Sequence, residues 1–219
     1  MADGKTRALR KYEAASAPLA RDAGASNIDL FSPFGPMIGR TRLRENLVEE
    51  INRYCDKQVR ADSGSEFLLP REVVFAPGKA SLANEIEAFI REYVIGIDGV
   101  APGRITIDIV WVVSQYAGTP SPVHFHTGDV SGVLYLKTPE IHRELDEERK
   151  TYISGRQAGH LNFLIGGKQR FSKSLISFKP IVGDFYVFPG WLLHGAEPFQ
   201  GTGERRSLAF NAFVEGGDH

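Results

Sequence analysis

A two-residue hydrophobic alternation, which begins after Pro102–Gly103, is the feature that most restricts the fold of this chain. Apolar side chains stand at positions 105, 107, 109, 111 and 113. Since neighbouring side chains of a strand point to opposite faces, the alternation predicts a long strand. Further β-rich runs cover 121–127, 131–138, 160–166, 171–180, 184–189 and 206–214, with Gly, Pro and polar turns between them. The second half of the chain is therefore predicted to be a β sandwich or barrel.

The first half has a different periodicity. Apolar residues recur at three- and four-residue steps from Leu43 to Tyr54 and again from Leu82 to Val94, which predicts two amphipathic helices. Ser81 is the expected N-cap of the second helix. The segment from Ile28 to Ile38 is apolar but interrupted by prolines and a glycine, and it predicts an edge strand. Two helices followed by about seven strands predict helices packed on one face of the barrel.

A chain of 219 residues is long enough for one full hydrophobic core. Residues 1–26 have no apolar stripe deep enough to bury, so they are predicted to form a loosely ordered arm. Residues 27–219 are predicted to form a single domain. The charged segment 139–156 is predicted to be an insertion at the rim of the barrel.

Composition excludes several classes of protein. Lys and Arg number 26 against 27 Asp and Glu, so no net field attracts nucleic acid or an acidic membrane. Cys55 is the only cysteine, which rules out an intramolecular disulfide and a cysteine-rich zinc site. The sequence has neither a run of about 20 apolar residues nor the apolar core of a signal peptide. We expect a soluble, cytoplasmic protein, whose oligomeric state the sequence leaves open.

Three histidines form the chemical pattern. His124 and His126 are two residues apart in a predicted strand, so both imidazoles project from one face. His194 follows a strand that ends in Pro189–Gly190, and we place it after a tight turn where a barrel would bring it opposite the pair. Imidazole binds iron, zinc, copper and nickel alike, so the pattern predicts a metal site without naming the metal.

Two further residues, which follow His194 in the chain, suggest a binding site for a carboxylate. Arg205 and Ser207 share one face of the last predicted strand. Arg offers two parallel donors and Ser a third, which together suit a carboxylate. Arg206 is the alternative if the register slips by one residue.

Taken together, the His-x-His pair, the distal histidine and the Arg-x-Ser resemble the 2-oxoglutarate (2OG) and iron(II) oxygenase superfamily. The approach Tyr116-Ala-Gly118 is similar to that of prolyl 4-hydroxylase relatives. Segments 131–136, 183–189 and 204–211 resemble a bacterial and phage subgroup of the superfamily. The resemblance covers residues 105–214 and implies a double-stranded β-helix, which is a jelly-roll barrel of cupin-like architecture.

The resemblance also implies roles for single residues. His124 and His194 match the two histidine ligands of the metal, and Arg205 and Ser207 match the pair that binds the distal carboxylate of 2OG. Tyr116 and Tyr135 are weaker candidates for cosubstrate contacts.

The second position of the His-x-His pair departs from the superfamily. His126 stands where most members have a carboxylate, so the metal would have three neutral imidazoles. Asp129 is a second candidate for the third ligand, and a site with His124 and His194 alone is a third. Trp191 is expected to line the entrance to the predicted metal site.

The implied activity is that of an Fe(II)- and 2OG-dependent dioxygenase. It would convert 2OG to succinate and carbon dioxide while hydroxylating a small molecule or a peptide. Two alternatives remain open. One is a cupin-like barrel that binds a metal or small ligand without redox turnover, since binding modules and enzymes share this fold. The other is a three-histidine dioxygenase that needs no cosubstrate.

Overall fold

The computed structural model describes residues 28–31, 35–59, 65–77, 81–119, 121–141, 158–167 and 173–216. The predicted arm 1–26 and most of the predicted insertion lie outside these ranges. In the described part the helices are α1 (Glu45–Cys55), α2 (Arg71–Val74) and α3 (Leu82–Asp98). The strands are β1 (Asp29–Phe31), β2 (Ile38–Arg42), β3 (Ser65–Leu68), β4 (Arg104–Gln115), β5 (Ser121–His124), β6 (Val130–Lys137), β7 (Glu140–Ile141), β8 (Leu161–Leu164), β9 (Leu175–Phe178), β10 (Asp184–Pro189), β11 (Leu193–Ala196), β12 (Gly201–Thr202) and β13 (Arg205–Glu215).

Two antiparallel sheets form the barrel. The larger sheet has the strand order β1-β2-β10-β6-β13-β4-β3, and the smaller sheet has the order β5-β11-β8-β9. Strands distant in sequence are neighbours in both sheets, as in a jelly roll. The predicted mainly β architecture, a double-stranded β-helix with two bracing helices, is confirmed. No helix in the described ranges is long and apolar enough to cross a membrane.

Alternation along the central strands separates two hydrophobic cores. On β6, Leu134 and Leu136 face the helices, whereas Tyr135 faces the interior of the barrel. On β10, Phe185 faces the helices and Tyr186 the interior. Because each strand contributes to both cores, the large sheet is buried on both faces over its central strands.

Helices α1 and α3 cover the outer face of the large sheet. Leu47 and Ile51 of α1 and Ile86 and Ile90 of α3 are buried in the core they share with the sheet. Ser81 caps α3 as predicted, since its hydroxyl accepts a hydrogen bond from the Asn84 amide at 3.2 Å. The two predicted bracing helices are therefore confirmed.

The long strand β4 is less regular than its sequence suggests. The register between β13 and β4 shifts where Asn211 pairs with Ile109 and Ala212 with Ile107. This bulge puts Ile107 into the helix-side core and Ile109 on the other face, so one alternation does not extend over the whole strand.

Other predicted boundaries also need correction. The expected edge strand 28–38 is a pair of strands, and β2 lies between β1 and β10 inside the large sheet. Strand β3 and the one-turn helix α2 were not predicted. Both are only four residues long, too short for a period to be visible.

A buried ion pair joins β2 to β10. The fully buried carboxylate of Asp184 accepts hydrogen bonds from Arg40 at 3.2 and 3.3 Å and from Arg42 at 3.0 Å. The Tyr186 hydroxyl donates to it at 3.3 Å. Since Arg40 is also buried, loss of the carboxylate would leave a guanidinium without its counter-charge.

We therefore expect Asp184→Ala to lower the free energy of unfolding by about 3–5 kcal/mol. The matched control is Glu85→Ala, which removes the ion pair of Glu85 with Arg44 on the surface and should cost less than about 1 kcal/mol. Urea unfolding of the two variants and the parent protein measures both values. Equal losses would contradict a special role for the buried carboxylate.

Candidate metal centre and anion cavity

Strand pairing brings the three predicted histidines together. Strands β5 and β11 are antiparallel neighbours, and His124 is the direct partner of His194 across them. His126 follows β5 and completes the group. One ring nitrogen from each histidine lies within 4.8 Å of the others, so the three can hold one metal ion. His194 lies on β11, after the turn that follows β10, as the sequence suggested.

Backbone carbonyls orient two of the imidazoles. Nδ1 of His124 lies 2.8 Å from the carbonyl oxygen of Pro122, and Nδ1 of His194 lies 2.8 Å from that of Leu192. A carbonyl only accepts, so each Nδ1 carries the proton and each Nε2 keeps its lone pair. This is the usual arrangement of metal-binding histidines, in which the second nitrogen is anchored.

A turn from the other sheet positions His126. The His126 amide donates to the Gly190 carbonyl at 2.8 Å, and the Gly190 amide donates to the Asp129 carbonyl at 3.0 Å. The ring of His126 also contacts Trp111 edge-on, with centroids 5.3 Å apart. The turn between β10 and β11 thus holds the loop that carries the third imidazole.

Burial keeps the imidazoles of His126 and His194 neutral. It lowers the pKa of His126 to about 4, and the nearby His124 adds to the effect. Burial likewise lowers the pKa of His194 to about 4, against the hydrogen bond to Leu192, which raises it. Neutral imidazole is the form that binds a metal, so at neutral pH these two residues need lose no proton to do so.

His194 is also part of the barrel's packing. Its side chain is buried, and its ring lies 4.7 Å from that of Phe188 and 6.2 Å from that of Phe163. A ligand at an open rim would lack such contacts. We therefore expect this histidine, unlike the exposed His124, to contribute to folding stability.

An interior cavity of about 80 Å³ extends from the histidines into the barrel. Arg205, Ser207 and Tyr135 line it together with all three histidines, and so does Gln115, which was not singled out from the sequence. The lining residues come mainly from β4, β6, β10 and β13 of the large sheet and from β5, β8 and β11 of the small one. Tyr116 is not among the described residues that line this cavity.

Arg205 is a buried cation whose hydrogen bonds go to neutral groups. Its side chain donates to Gln115 Oε1 and to the carbonyl oxygens of Gly159 at 3.3 Å and Glu197 at 2.8 Å. Burial lowers its pKa, although Tyr135 and Glu197 act in the opposite direction. In the described part of the chain no carboxylate lies within ion-pair distance of Arg205. The positive charge is therefore left for a ligand to neutralise.

Arg206 differs completely from its neighbour. Its guanidinium faces α1, where it pairs with Glu204 at 2.6 Å and Asp56 at 2.8 Å. The alternation along β13 thus separates a neutralised arginine from one that faces the cavity, and Arg206 does not line the cavity.

Tyr135 and Ser207 bring hydroxyl groups to the lining of the cavity. Tyr135 is only 2% exposed, and burial raises the pKa of its hydroxyl far above the usual range, so it stays a donor. Neither Tyr135 nor Ser207 has a side-chain hydrogen bond to another residue that the structure describes. Both hydroxyls and the guanidinium of Arg205 are thus available to one anion.

Two wider cavities open at His126. One, of about 510 Å³, is lined by residues that include Trp191 and Asp129, and the other, of about 380 Å³, by residues that include Leu68 and Trp111. Trp191 is 56% exposed at the mouth, where the sequence placed it. The carboxylate of Asp129 accepts from the Val214 amide at 2.9 Å, and Asp129 is not part of the histidine cluster.

Comparison with known proteins finds one family model that matches the chain. Residues 109–211 match the model of the family described as "Putative 2OG-Fe(II) oxygenase". The matched segment includes all three histidines, Arg205 and Ser207. The match covers just under half of the chain, and over that segment the chain is similar to this family. No curated protein sequence matches the chain.

Solved structures of 2OG-Fe(II) oxygenases share the fold. A viral collagen prolyl hydroxylase from Paramecium bursaria Chlorella virus-1, solved with 2OG, is 14% identical, with a TM-score of 0.53 over 82% of this chain and 96% of that one. HygX from Streptomyces hygroscopicus, solved with nickel and 2OG, is 10% identical, with a TM-score of 0.54 over 83% of each chain. A Pseudomonas putida prolyl-4-hydroxylase is 15% identical, with a TM-score of 0.50 over 81% and 91%. At these identities the likeness concerns the oxygenase fold.

Replacement of two histidines separates binding from stability. We expect His124→Ala and His194→Ala both to abolish stoichiometric binding of Co²⁺, measured by its visible absorption. In metal-free buffer, His194→Ala should lower the free energy of unfolding by about 2 kcal/mol or more because it leaves a cavity beside Phe163 and Phe188. His124→Ala should cost less than about 1 kcal/mol. Full Co²⁺ binding by either variant would remove that histidine from the ligand set.

Gly190→Ala tests the turn without changing a ligand. A Cβ at Gly190 would lie 1.9 Å from the Gly128 carbonyl oxygen, so the loop with His126 has to shift. We expect Co²⁺ affinity to fall about tenfold or more, as for other residues that position ligands. Gly167→Ala is the control, because its Cβ would meet nothing within 4 Å. Unchanged affinity in Gly190→Ala would show that the turn does not position His126.

Proposed function

We propose that this barrel is an Fe(II)- and 2OG-dependent dioxygenase that hydroxylates a small molecule or a peptide. The observation that carries the proposal is the position of Arg205, a buried cation with no carboxylate partner among the described residues, in the same cavity as three imidazoles that can hold a metal. A metal at one end and a free positive charge at the other suit a ligand with a chelating end and an anionic end.

The histidines fit a divalent first-row metal. Nε2 of His124 and of His194 is free to coordinate because Nδ1 is anchored, and His126 supplies the third nitrogen. HygX, which shares the fold, is described with iron and with nickel. When bound, the iron would supply the redox chemistry with dioxygen and would bind the 2-oxo acid end of the cosubstrate.

The protein's own residues would bind and orient the cosubstrate. Arg205 would donate to the distal carboxylate, and the hydroxyls of Ser207 and Tyr135 would add two further donors. Leu161 and Phe188 line the same cavity and would exclude water from it. The primary substrate would approach His126 through the wider cavities beside Trp111 and Trp191.

The two alternative functions differ from this proposal in whether they require the charge of Arg205. A cupin-like barrel that only binds a metal has no need for a buried cation aimed at the cavity. A three-histidine dioxygenase without cosubstrate would likewise leave the charge of Arg205 without a partner, unless its substrate is itself an anion. His126 is the feature that favours these alternatives, since it replaces the superfamily's carboxylate.

Anaerobic titration of the Fe(II)-loaded protein with 2OG tests the proposal. We expect the weak visible charge-transfer band of a chelated 2-oxo acid. In Arg205→Met the affinity for 2OG should fall about 10- to 100-fold, because a hydrogen bond to a charged group is lost. Metal binding should be retained.

Arg206→Met is the matched control. It also removes a buried guanidinium from β13, but one that faces α1, so the variant should lose stability and keep its affinity for 2OG. Absence of the band in iron-loaded parent protein would reject the 2OG-dependent activity and favour one of the alternatives.

A further inference from the structure

Gln115 occupies one edge of the Arg205 guanidinium. Its side-chain oxygen accepts from Nε at 3.1 Å and from Nη2. Both side chains are buried, and the two residues are direct partners in the pairing of β4 with β13. This edge, with two parallel N–H groups, is one that a carboxylate could otherwise use in a bidentate pair.

A count of the guanidinium donors shows what is left for a ligand. Arginine has five N–H groups. Gln115 receives two of them, and the carbonyls of Gly159 and Glu197 receive two from Nη1. One N–H, on Nη2, remains. The ring of Phe199 lies 5.7 Å below the guanidinium carbon, so the cation is held from one face as well.

The amide orients Arg205 without neutralising it. Arg206, one residue later, is held by two carboxylates, and its charge is balanced within the protein. A glutamate at position 115 would have almost the same shape as glutamine but would pair with Arg205 internally. The neutral side chain at this position therefore preserves a full positive charge in the cavity.

We propose that Gln115 is a positioning and specificity-determining residue of the cosubstrate site, and that it selects a dicarboxylic 2-oxo acid. It fixes Arg205 so that the remaining N–H, together with the hydroxyls of Ser207 and Tyr135, receives the distal carboxylate. This inference rests on the proposed function, because it assumes that the cavity binds a 2-oxo acid.

The test compares 2OG with 2-oxopentanoate, which has the same chain length but a methyl group in place of the distal carboxylate. Both acids chelate through the same end, so the ratio of their dissociation constants measures the distal subsite alone. The ratio is read from the charge-transfer band of the anaerobic Fe(II)-loaded protein. Thermal unfolding and iron stoichiometry of each variant are measured beside it.

The parent protein should bind 2OG at least tenfold more tightly than 2-oxopentanoate, as expected for one charge-assisted hydrogen bond. In Gln115→Glu the ratio should fall to about 1, because the new carboxylate neutralises Arg205 and repels the distal carboxylate of 2OG. Affinity for 2-oxopentanoate should stay within about threefold of the parent value. A purely structural defect would weaken the binding of both acids by the same factor.

Gln115→Met provides the matched neutral change, with similar volume and no acceptor oxygen. It should keep part of the preference for 2OG, because the charge remains while its orientation is lost. The proposal is overturned if Gln115→Glu keeps the parent ratio. Should that variant fail to fold, a parent-like ratio in Gln115→Met would overturn it instead.

Results on the parent protein separate this inference from the function on which it rests. No band with either acid would reject the proposed function. Bands with both acids at equal affinity would leave 2-oxo acid chelation intact and reject the distal subsite, and with it the role of Gln115.

Discussion

The antiparallel pairing of β5 with β11 is the constraint on which the site depends, because it makes His124 and His194 direct partners. Partner residues on adjacent strands have Cβ atoms about 5 Å apart, which is the separation that two imidazoles need to reach one ion. Strand β11 is fixed in turn by β8 on its other edge. The two ligands therefore take their positions from the small sheet and not from flexible loops.

The third ligand depends on closure of the barrel. His126 lies beyond the end of β5, and its amide is held by Gly190, in the turn that leaves the large sheet and enters the small one. The same turn leads into β11 and His194. One short segment thus connects the two sheets, orients two ligands and leaves Trp191 at the mouth. The missing side chain at position 190 allows the approach to the Gly128 carbonyl that this arrangement requires.

Most residues of this site can be predicted from the periodicity of the sequence. Gln115 could not be predicted in this way, because it belongs to no periodic pattern. The two-residue spacing of His124 and His126 and of Arg205 and Ser207 is visible because a strand converts it into a shared face. Gln115 lies on the same face of the large sheet as Arg205. A single glutamine at the end of a strand, however, resembles any surface residue in the sequence. Its importance arises from the pairing of β4 with β13, which joins residues 90 positions apart.

Sequence periodicity also did not predict the bulge in β4 or the start of β11. The bulge lies between Ile107 and Ile109, where the two-residue alternation of isoleucines continues without a break, so the sequence pattern does not mark it. The place of His194 on β11 was hidden by the Pro-Gly pair before it. That pair indicates a turn but not how soon a new strand begins.

The positive charges of a bound metal ion and of Arg205 determine which ligands suit the cavity. Three neutral imidazoles leave the charge of a divalent ion undiminished, whereas a carboxylate ligand would reduce it by one. Arg205 adds a further positive charge to the same cavity, and its hydrogen bond to the neighbouring Glu197 goes to the backbone carbonyl and not to the carboxylate. A ligand with two negative charges balances such a cavity better than a monoanion or a neutral molecule does. With His126 in place of a carboxylate ligand, the metal end of the cavity keeps one more positive charge, and the ligand set of the metal changes with it.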